Sequence, residues 1–184
     1  MRPLVALLDA SVLYPSLTRN LLMHLGTAGI IAARWSDAIH DEWMTNLLAD
    51  RPDLTPERLQ RTLGLMRQAL PDATVQADEA VTTRLVLPDP GDRHVLAASL
   101  GAGADVLVTW NLRHFPAAVL EPHGLEAVTP DELVSRHLDA AAVETRAAVE
   151  ALRQSLRRPP YSWTALVDRL EAVGLTATAH RLRM

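Results

Sequence analysis

Asp9 closes the apolar run Leu-Val-Ala-Leu-Leu, and the hydroxyl of Ser11 follows two residues later. An apolar run with no turn residue inside it predicts a strand buried on both faces. An acid at the carboxyl end of such a strand stands at the rim of a parallel sheet, where open α/β proteins hold ligands and metals. The same Asp can equally serve only as a helix N-cap. Three further segments carry candidate groups. Glu42 follows the capping residue Ser36 by six positions, on a helical pattern that turns Ile39, Trp43 and Leu47 inward and leaves Glu42 beside that face. In Asp89-Pro90-Gly91-Asp92, Asp89 can cap a helix, Pro90 takes its first position, and Asp92 lies in the first turn, where the helix dipole favours an ionised carboxylate. The run Val-Leu-Val then leads to a hydroxyl at Thr109 and an amide at Asn111. Glu42 also reads as a solvated helix residue, and Asn111 as a turn former. Hard cations such as Mg²⁺ and Mn²⁺ take oxygen ligands, and acids crowded at a sheet edge repel one another without a cation. The pattern therefore points toward a metal site, although spacing alone does not bring the segments together.

The elements that must position these groups alternate between strand and helix. Residues 15–25 carry Leu17, Leu21, Leu22 and Leu25 at helical spacing, and Gly26 and Gly29 close the stripe. An apolar stretch at 30–35 ends at Ser36, which caps a helix running to about Ala49. Thr55, Pro56 and Glu57 open the next helix, which ends near Leu70 and Pro71. A short strand at 74–76 and a small helix precede the helix that opens at Asp89 and runs to Leu100, with Gly101 and Gly103 closing it. Strands are predicted at 105–109 and 125–128, and Thr129-Pro130-Asp131-Glu132 starts a short helix. Such alternation argues for a parallel α/β sheet rather than a bundle. We place a first domain at residues 1–138 and a helical C-terminal extension at 139–184. In the extension Val143, Val149, Leu152 and Leu156 share helical spacing, Pro159-Pro160 breaks the helix, and Ser162 caps another through Ala172. Gly174 stops that helix and Thr176 caps a last turn. The extension either covers a hydrophobic flank or holds a partner or RNA through Arg153, Arg157, Arg158, Arg181 and Arg183.

Composition narrows the class. The 184 residues suit one domain with an appendage, and 48% hydrophobic content suffices for a full core. With no cysteine, disulfide frameworks, thiol catalysis and Cys-type zinc sites are excluded. No stretch approaches the ~20 apolar residues of a membrane span, and the N-terminal run reads as a strand rather than a signal peptide. A cytoplasmic protein with no membrane role is expected. The net charge of −4 argues against a general nucleic-acid coat, yet all 18 basic residues are Arg, which grips phosphate bidentately.

Four segments in order resemble the PIN-domain ribonucleases, particularly the VapC-type toxins of bacterial toxin–antitoxin pairs. Leu-Leu-Asp-Ala-Ser-Val-Leu resembles the family's opening strand, with its first acid at Asp9 and its hydroxyl at Ser11. Ser-Asp-Ala-Ile-His-Asp-Glu-Trp resembles the helix of the second acid, Glu42. Leu-Pro-Asp-Pro-Gly-Asp-Arg-His-Val-Leu-Ala-Ala resembles the third segment, with its acid at Asp92 and the extra acid of one branch at Asp89. Ala-Asp-Val-Leu-Val-Thr-Trp-Asn resembles the strand leading to the fourth site, at Thr109 and Asn111. Two positions depart from the pattern: the fourth acid is Asn111, and a nearby position that is commonly acidic is His114.

The resemblance covers residues 4–135 and implies a three-layer α/β/α fold around a short parallel sheet. It implies hydrolysis of RNA phosphodiesters with Mg²⁺ or Mn²⁺ held by Asp9, Glu42, Asp92 and Asp89. Ser11, Thr109 and Asn111 would orient ligands or water around them. It also implies a small antitoxin partner and a homodimer. Two other readings stand beside it. One is a non-catalytic module that binds RNA or protein. The other is a haloacid-dehalogenase-type phosphatase, although Ser11 occupies the place of that chemistry's second Asp and the chain has no Lys.

Overall fold

The most apolar segments become the central strands. In the computed structural model, which describes residues 2–157 and 159–184, β1 (Leu4–Leu8) and β3 (Val106–Val108) lie side by side in the middle of a sheet ordered β2-β1-β3-β4. All three pairings are parallel, with Ala6 beside Val106 and Leu8 beside Val108. Each strand is reached by a helical crossover, as parallel pairing requires. The outer strands are less apolar because one edge of each meets fewer neighbours. β2 (Ile31–Arg34) alternates buried and half-buried residues, and β4 (Glu126–Val128) begins with the exposed Glu126, paired to Arg136 at 2.8 Å.

β2 was visible in the sequence only as an apolar stretch. The strand expected at 74–76 is reduced to one parallel bridge between Trp35 and Thr74, in which Trp35 N donates to Ala73 O and Val75 N to Trp35 O. Two hydrogen bonds beside a short edge strand do not extend into a ladder.

The helices are α1 (Ala10–Leu13), α2 (Ser16–Thr27), α3 (Asp37–Asp50), α4 (Pro56–Ala69), α5 (Glu79–Thr82), α6 (Arg93–Gly101) and α7 (Ala117–Leu120). The C-terminal part adds α8 (Pro130–Ala140), α9 (Ala142–Ser155), α10 (Trp163–Ala172) and α11 (Thr176–Arg183). The caps at Ser36, Thr55, Thr129 and Ser162 lie where the sequence placed them, whereas Thr176 is the first residue of α11 and caps nothing, because the carboxylate of Asp131 accepts the N–H groups there. Ser36, Thr55 and Ser162 each accept a backbone N–H three residues on, and Thr129 with Glu132 completes a capping box. The Asp89 segment differs in one respect: Pro90–Asp92 forms a 3₁₀ turn before α6 begins at Arg93. Asp89 accepts from Gly91 N at 2.8 Å, and this tight local bond closes the turn too early for an α-helical first turn. With helices on both sides of the sheet the fold is a three-layer α/β/α arrangement with further C-terminal helices.

Those C-terminal helices share the core with the sheet domain. Val149 and Leu152 of α9 are fully buried, and α9 packs on α2, while α11 packs on α8 and α10. The carboxylate of Asp131 accepts from Ala177 N (2.9 Å) and Thr178 N (2.8 Å), tying the start of α11 to α8. Arg153, Arg181 and Arg183 are ion-paired to Glu150, to Asp139, and to Asp168 and Glu171 respectively, so their charge is engaged within the chain. Arg158 lies outside the described residues. Gly174 ends α10 at φ +95°, a conformation that favours glycine.

Candidate active site

The parallel register carries the ends of β1 and β3 to the same edge of the sheet. Asp9 directly follows β1 and Thr109 directly follows β3, so two residues a hundred positions apart meet. Asp9 is 3% exposed, and its carboxylate is well supplied with donors. Ala10 N donates to Oδ1 at 2.7 Å, while Ser11 Oγ and Thr109 Oγ1 each donate to Oδ2 at 2.7 Å. Asp9 is thus both the N-cap of α1 and a rim acid, which unites the two readings its position allowed. Both lone pairs of Oδ2 are taken, and Oδ1 keeps one direction free for another ligand. The hydroxyls are held in turn: Trp110 N donates to Ser11 Oγ (3.1 Å), and Asn111 N donates to Thr109 Oγ1 (2.9 Å).

Asp92 stands at the junction of the 3₁₀ turn and α6. Its Oδ2 lies 2.8 Å from Nδ1 of His114, with side-chain exposures of 17% and 24%. Burial raises the pKa of Asp92 above the ordinary carboxylate value. The hydrogen bond from His114 lowers it, and the negative charges of Asp89 and Asp9 push it up again. An acid held up by burial and by two neighbouring carboxylates is relieved by a bound cation. Asp89, Asp92 and His114 bring their ligand atoms within 4.8 Å of one another, and this is the group among the described residues that can hold a metal ion.

The remaining candidates flank this centre. Glu42, on α3, places Oε2 3.2 Å from Nε2 of His94 on α6, with the carboxylate side chain 40% exposed. Glu42 therefore leans toward α6 and does not join the close group of Asp89, Asp92 and His114. The side-chain amide of Asn111 makes no hydrogen bond among the described residues and lines a cleft of about 480 Å³ together with Ser11, Glu42 and Trp110. Sequence reasoning noted His114 only as a departure from an acidic position, and it passed over His94. The available signals were the position of His114 in the rim segment just after Asn111 and that of His94 two residues after Asp92.

The donor set suits a divalent cation: carboxylate oxygens from Asp89 and Asp92 and an imidazole nitrogen from His114, while Asp9, whose charge acts on Asp92, keeps a free direction at Oδ1. The sequence profile of the PIN domain matches residues 5–113, well over half of the chain. The chain belongs to the PIN-domain family. A second profile, described as the VapC50 C-terminal domain, matches residues 130–184 and so takes in α8 as well as α9 to α11. Among curated proteins the chain is similar to "Putative ribonuclease VapC50" of Mycobacterium tuberculosis, with 37% identity over 93 residues. That stretch is 50% of this chain and 55% of the relative, so the chain spans about half the length of the curated relative it matches. No solved structure matches the chain. No helix among the described residues is long and apolar enough to cross a membrane.

Proposed function

We propose that this PIN-domain protein is a metal-dependent ribonuclease that hydrolyses RNA phosphodiester bonds, and that it is the toxin of a toxin–antitoxin pair. The observation that carries the reading is the meeting of Asp89, Asp92 and His114, with the charge of Asp9 felt at Asp92, at the carboxyl edge of a parallel sheet in a PIN-domain chain. The similarity to a protein named as a ribonuclease supports the RNA substrate, and the match of residues 130–184 to a VapC50 C-terminal domain supports the toxin assignment. A small antitoxin and a second copy of the chain are the partners this reading implies, and the cytoplasm is where it would act.

Asp9, Asp92, Glu42 and Asp89 are the acids assigned to Mg²⁺ or Mn²⁺, directly or through water, with His114 beside them. When bound, the ion polarises the phosphate and lowers the pKa of an attacking water. The chain's own residues arrange the rest. Ser11 and Thr109 keep the Asp9 carboxylate in one orientation, which leaves Oδ1 pointing to a fixed place. His114 orients Asp92, and His94 restrains Glu42. Asn111 offers an uncharged amide at the cleft wall to orient water or substrate. The proposed nuclease unit is residues 1–138, and the extension from 139 gives it structural support.

The test is incubation of the purified protein with mixed cellular RNA in Mg²⁺, in Mn²⁺ and in chelator, beside Asp9→Asn. Discrete fragments that require both metal and Asp9 are the expected result. Equal cleavage by Asp9→Asn, with a contaminating nuclease excluded, would remove the site.

A further inference from the structure

The cleft beside the acids has walls unlike the acids themselves. It is lined by Tyr14, Asn46, Trp110 and Asn111 together with Asp50 and Glu42, and by no basic residue. A phosphate is repelled by such a lining, whereas a neutral nucleobase is offered aromatic surface and amide groups. We propose that this cleft is a nucleoside subsite, taking one unpaired base of an RNA strand while the adjoining phosphate lies at the acids. The inference rests on the ribonuclease reading for its substrate.

Three observations carry it. The first is chemical fit. Aromatic side chains stack any base, and amides offer a donor and an acceptor to its Watson–Crick or Hoogsteen edge. The amides of Asn46 and Asn111 are both exposed and make no hydrogen bond among the described residues, so neither must break a bond to meet a base. The second is preorganisation of the stacking surface. A methyl group placed on Gly174 would lie 3.4 Å from Cη2 of Trp110, so the turn between α10 and α11 backs the outer edge of the indole. The Tyr14 hydroxyl donates to Asp50 Oδ2 at 2.8 Å, which anchors the second ring. The third is linkage to the acids. Trp110 N donates to Ser11 Oγ, and Ser11 Oγ donates to Asp9, so the platform and the first acid are joined through one hydroxyl. A base stacked on Trp110 holds its own phosphate at a fixed distance from Asp9.

Size and shape select the strand type. About 480 Å³ accommodates a nucleoside and lies within the ordinary range of small-ligand sites, ~300–1,000 Å³. A base inside a duplex has both faces covered by its neighbours and cannot enter. The subsite therefore restricts cleavage to single-stranded segments and makes the base next to the cut matter.

The test uses the full chain without metal and the four uncharged ribonucleosides, measured by equilibrium dialysis. Wild type is expected to bind them saturably with unequal affinities. Trp110→Ala is expected to weaken all four by about fivefold to a hundredfold, the range that loss of a stacking ring produces. Asn46→Ala, an exposed change on α3 that leaves packing untouched, is expected to reorder the four affinities. In parallel, single-stranded oligoribonucleotides with each base beside the cut are cleaved in the presence of Mn²⁺. Trp110→Ala is expected to raise KM more than it lowers kcat, and Asn46→Ala to change the base preference. Absence of any binding by wild type overturns the subsite, as does wild-type affinity and base preference in both variants. If RNA is cleaved with unaltered selection by both variants, the subsite fails and the ribonuclease reading stands. If no RNA is cleaved while both variants change nucleoside binding as described, the ribonuclease reading fails and the nucleoside site remains.

Discussion

Replacing Thr109 by valine keeps the shape of a fully buried side chain and removes one hydroxyl. That hydroxyl donates to Asp9 Oδ2 at 2.7 Å and accepts from Asn111 N at 2.9 Å. A hydrogen bond to a charged group is worth about 1.5–3 kcal/mol, and the Asn111 N–H loses its partner as well. Thr109→Val is therefore expected to cost about 2–3 kcal/mol. With a urea m-value of about 2–3 kcal/mol/M, the unfolding midpoint falls by roughly 1 M. Thr109→Ser keeps both hydrogen bonds and loses one buried methyl, at a cost of about 1 kcal/mol. The order of the two variants decides the matter. If Thr109 served only as packing, Ser would be the more damaging change and Val nearly silent. Urea unfolding of the three proteins in chelator measures this directly, and Thr109→Val as stable as wild type would refute the hydrogen-bonded role. Titration with Mn²⁺ should also show weaker binding to Thr109→Val, since Asp9 keeps Ser11 but loses half the restraint on Oδ2.

Three further outcomes are expected. Burial and the neighbouring carboxylates hold Asp92 above its usual pKa, so its ionised form opposes folding: the stability this group allows is present below the unfolded pKa and lost as pH rises through the folded one. Asp92→Asn should then be more stable than wild type at pH 7 in chelator, with the gap closing near pH 4, as read by thermal unfolding. His40 has the opposite sign, because burial, with Arg67 adding to it, lowers its pKa to about 4. Its neutral ring accepts a hydrogen bond from Trp43 Nε1, and about 3 kcal/mol of stability should be lost as pH falls from 6.5 to 4. His40→Gln should flatten that slope in urea melts, and an NMR titration of His40 centred near 6.5 would contradict it. Gly174→Ala places a side chain at φ +95° against Trp110 and should cost about 1–3 kcal/mol, with a change in tryptophan emission.

Much of the architecture follows from short-range rules that operate on the chain in order. The apolar runs before Asp9 and Thr109 lack turn residues and so become central strands. The hydroxyls of Ser36, Thr55, Thr129 and Ser162 each stand before an amphipathic pattern and cap the helix that follows. The positive φ of Gly174 follows from a helix that must stop and reverse. These features depend on residues within four or five positions of one another, and sequence displays such neighbours directly. Tertiary structure decided the pairings. The hydroxyls of Ser11 and Thr109 meet at Asp9 because β1 and β3 are adjacent and parallel, an order that neither strand's own residues encode. His114 bonds Asp92 and His94 approaches Glu42 across 22 and 52 positions, and both histidines read as ordinary polar residues until α3, α6 and the rim segment pack together. The contact between Gly174 and Trp110 likewise exists only because the C-terminal helices fold back over the sheet edge. Sequence by itself thus determined which segments are strands and helices and which residues can carry charge at their ends. The packing of those segments decided which charges share a site, because distances between groups far apart in the chain are set by sheet order and helix docking and by no local preference.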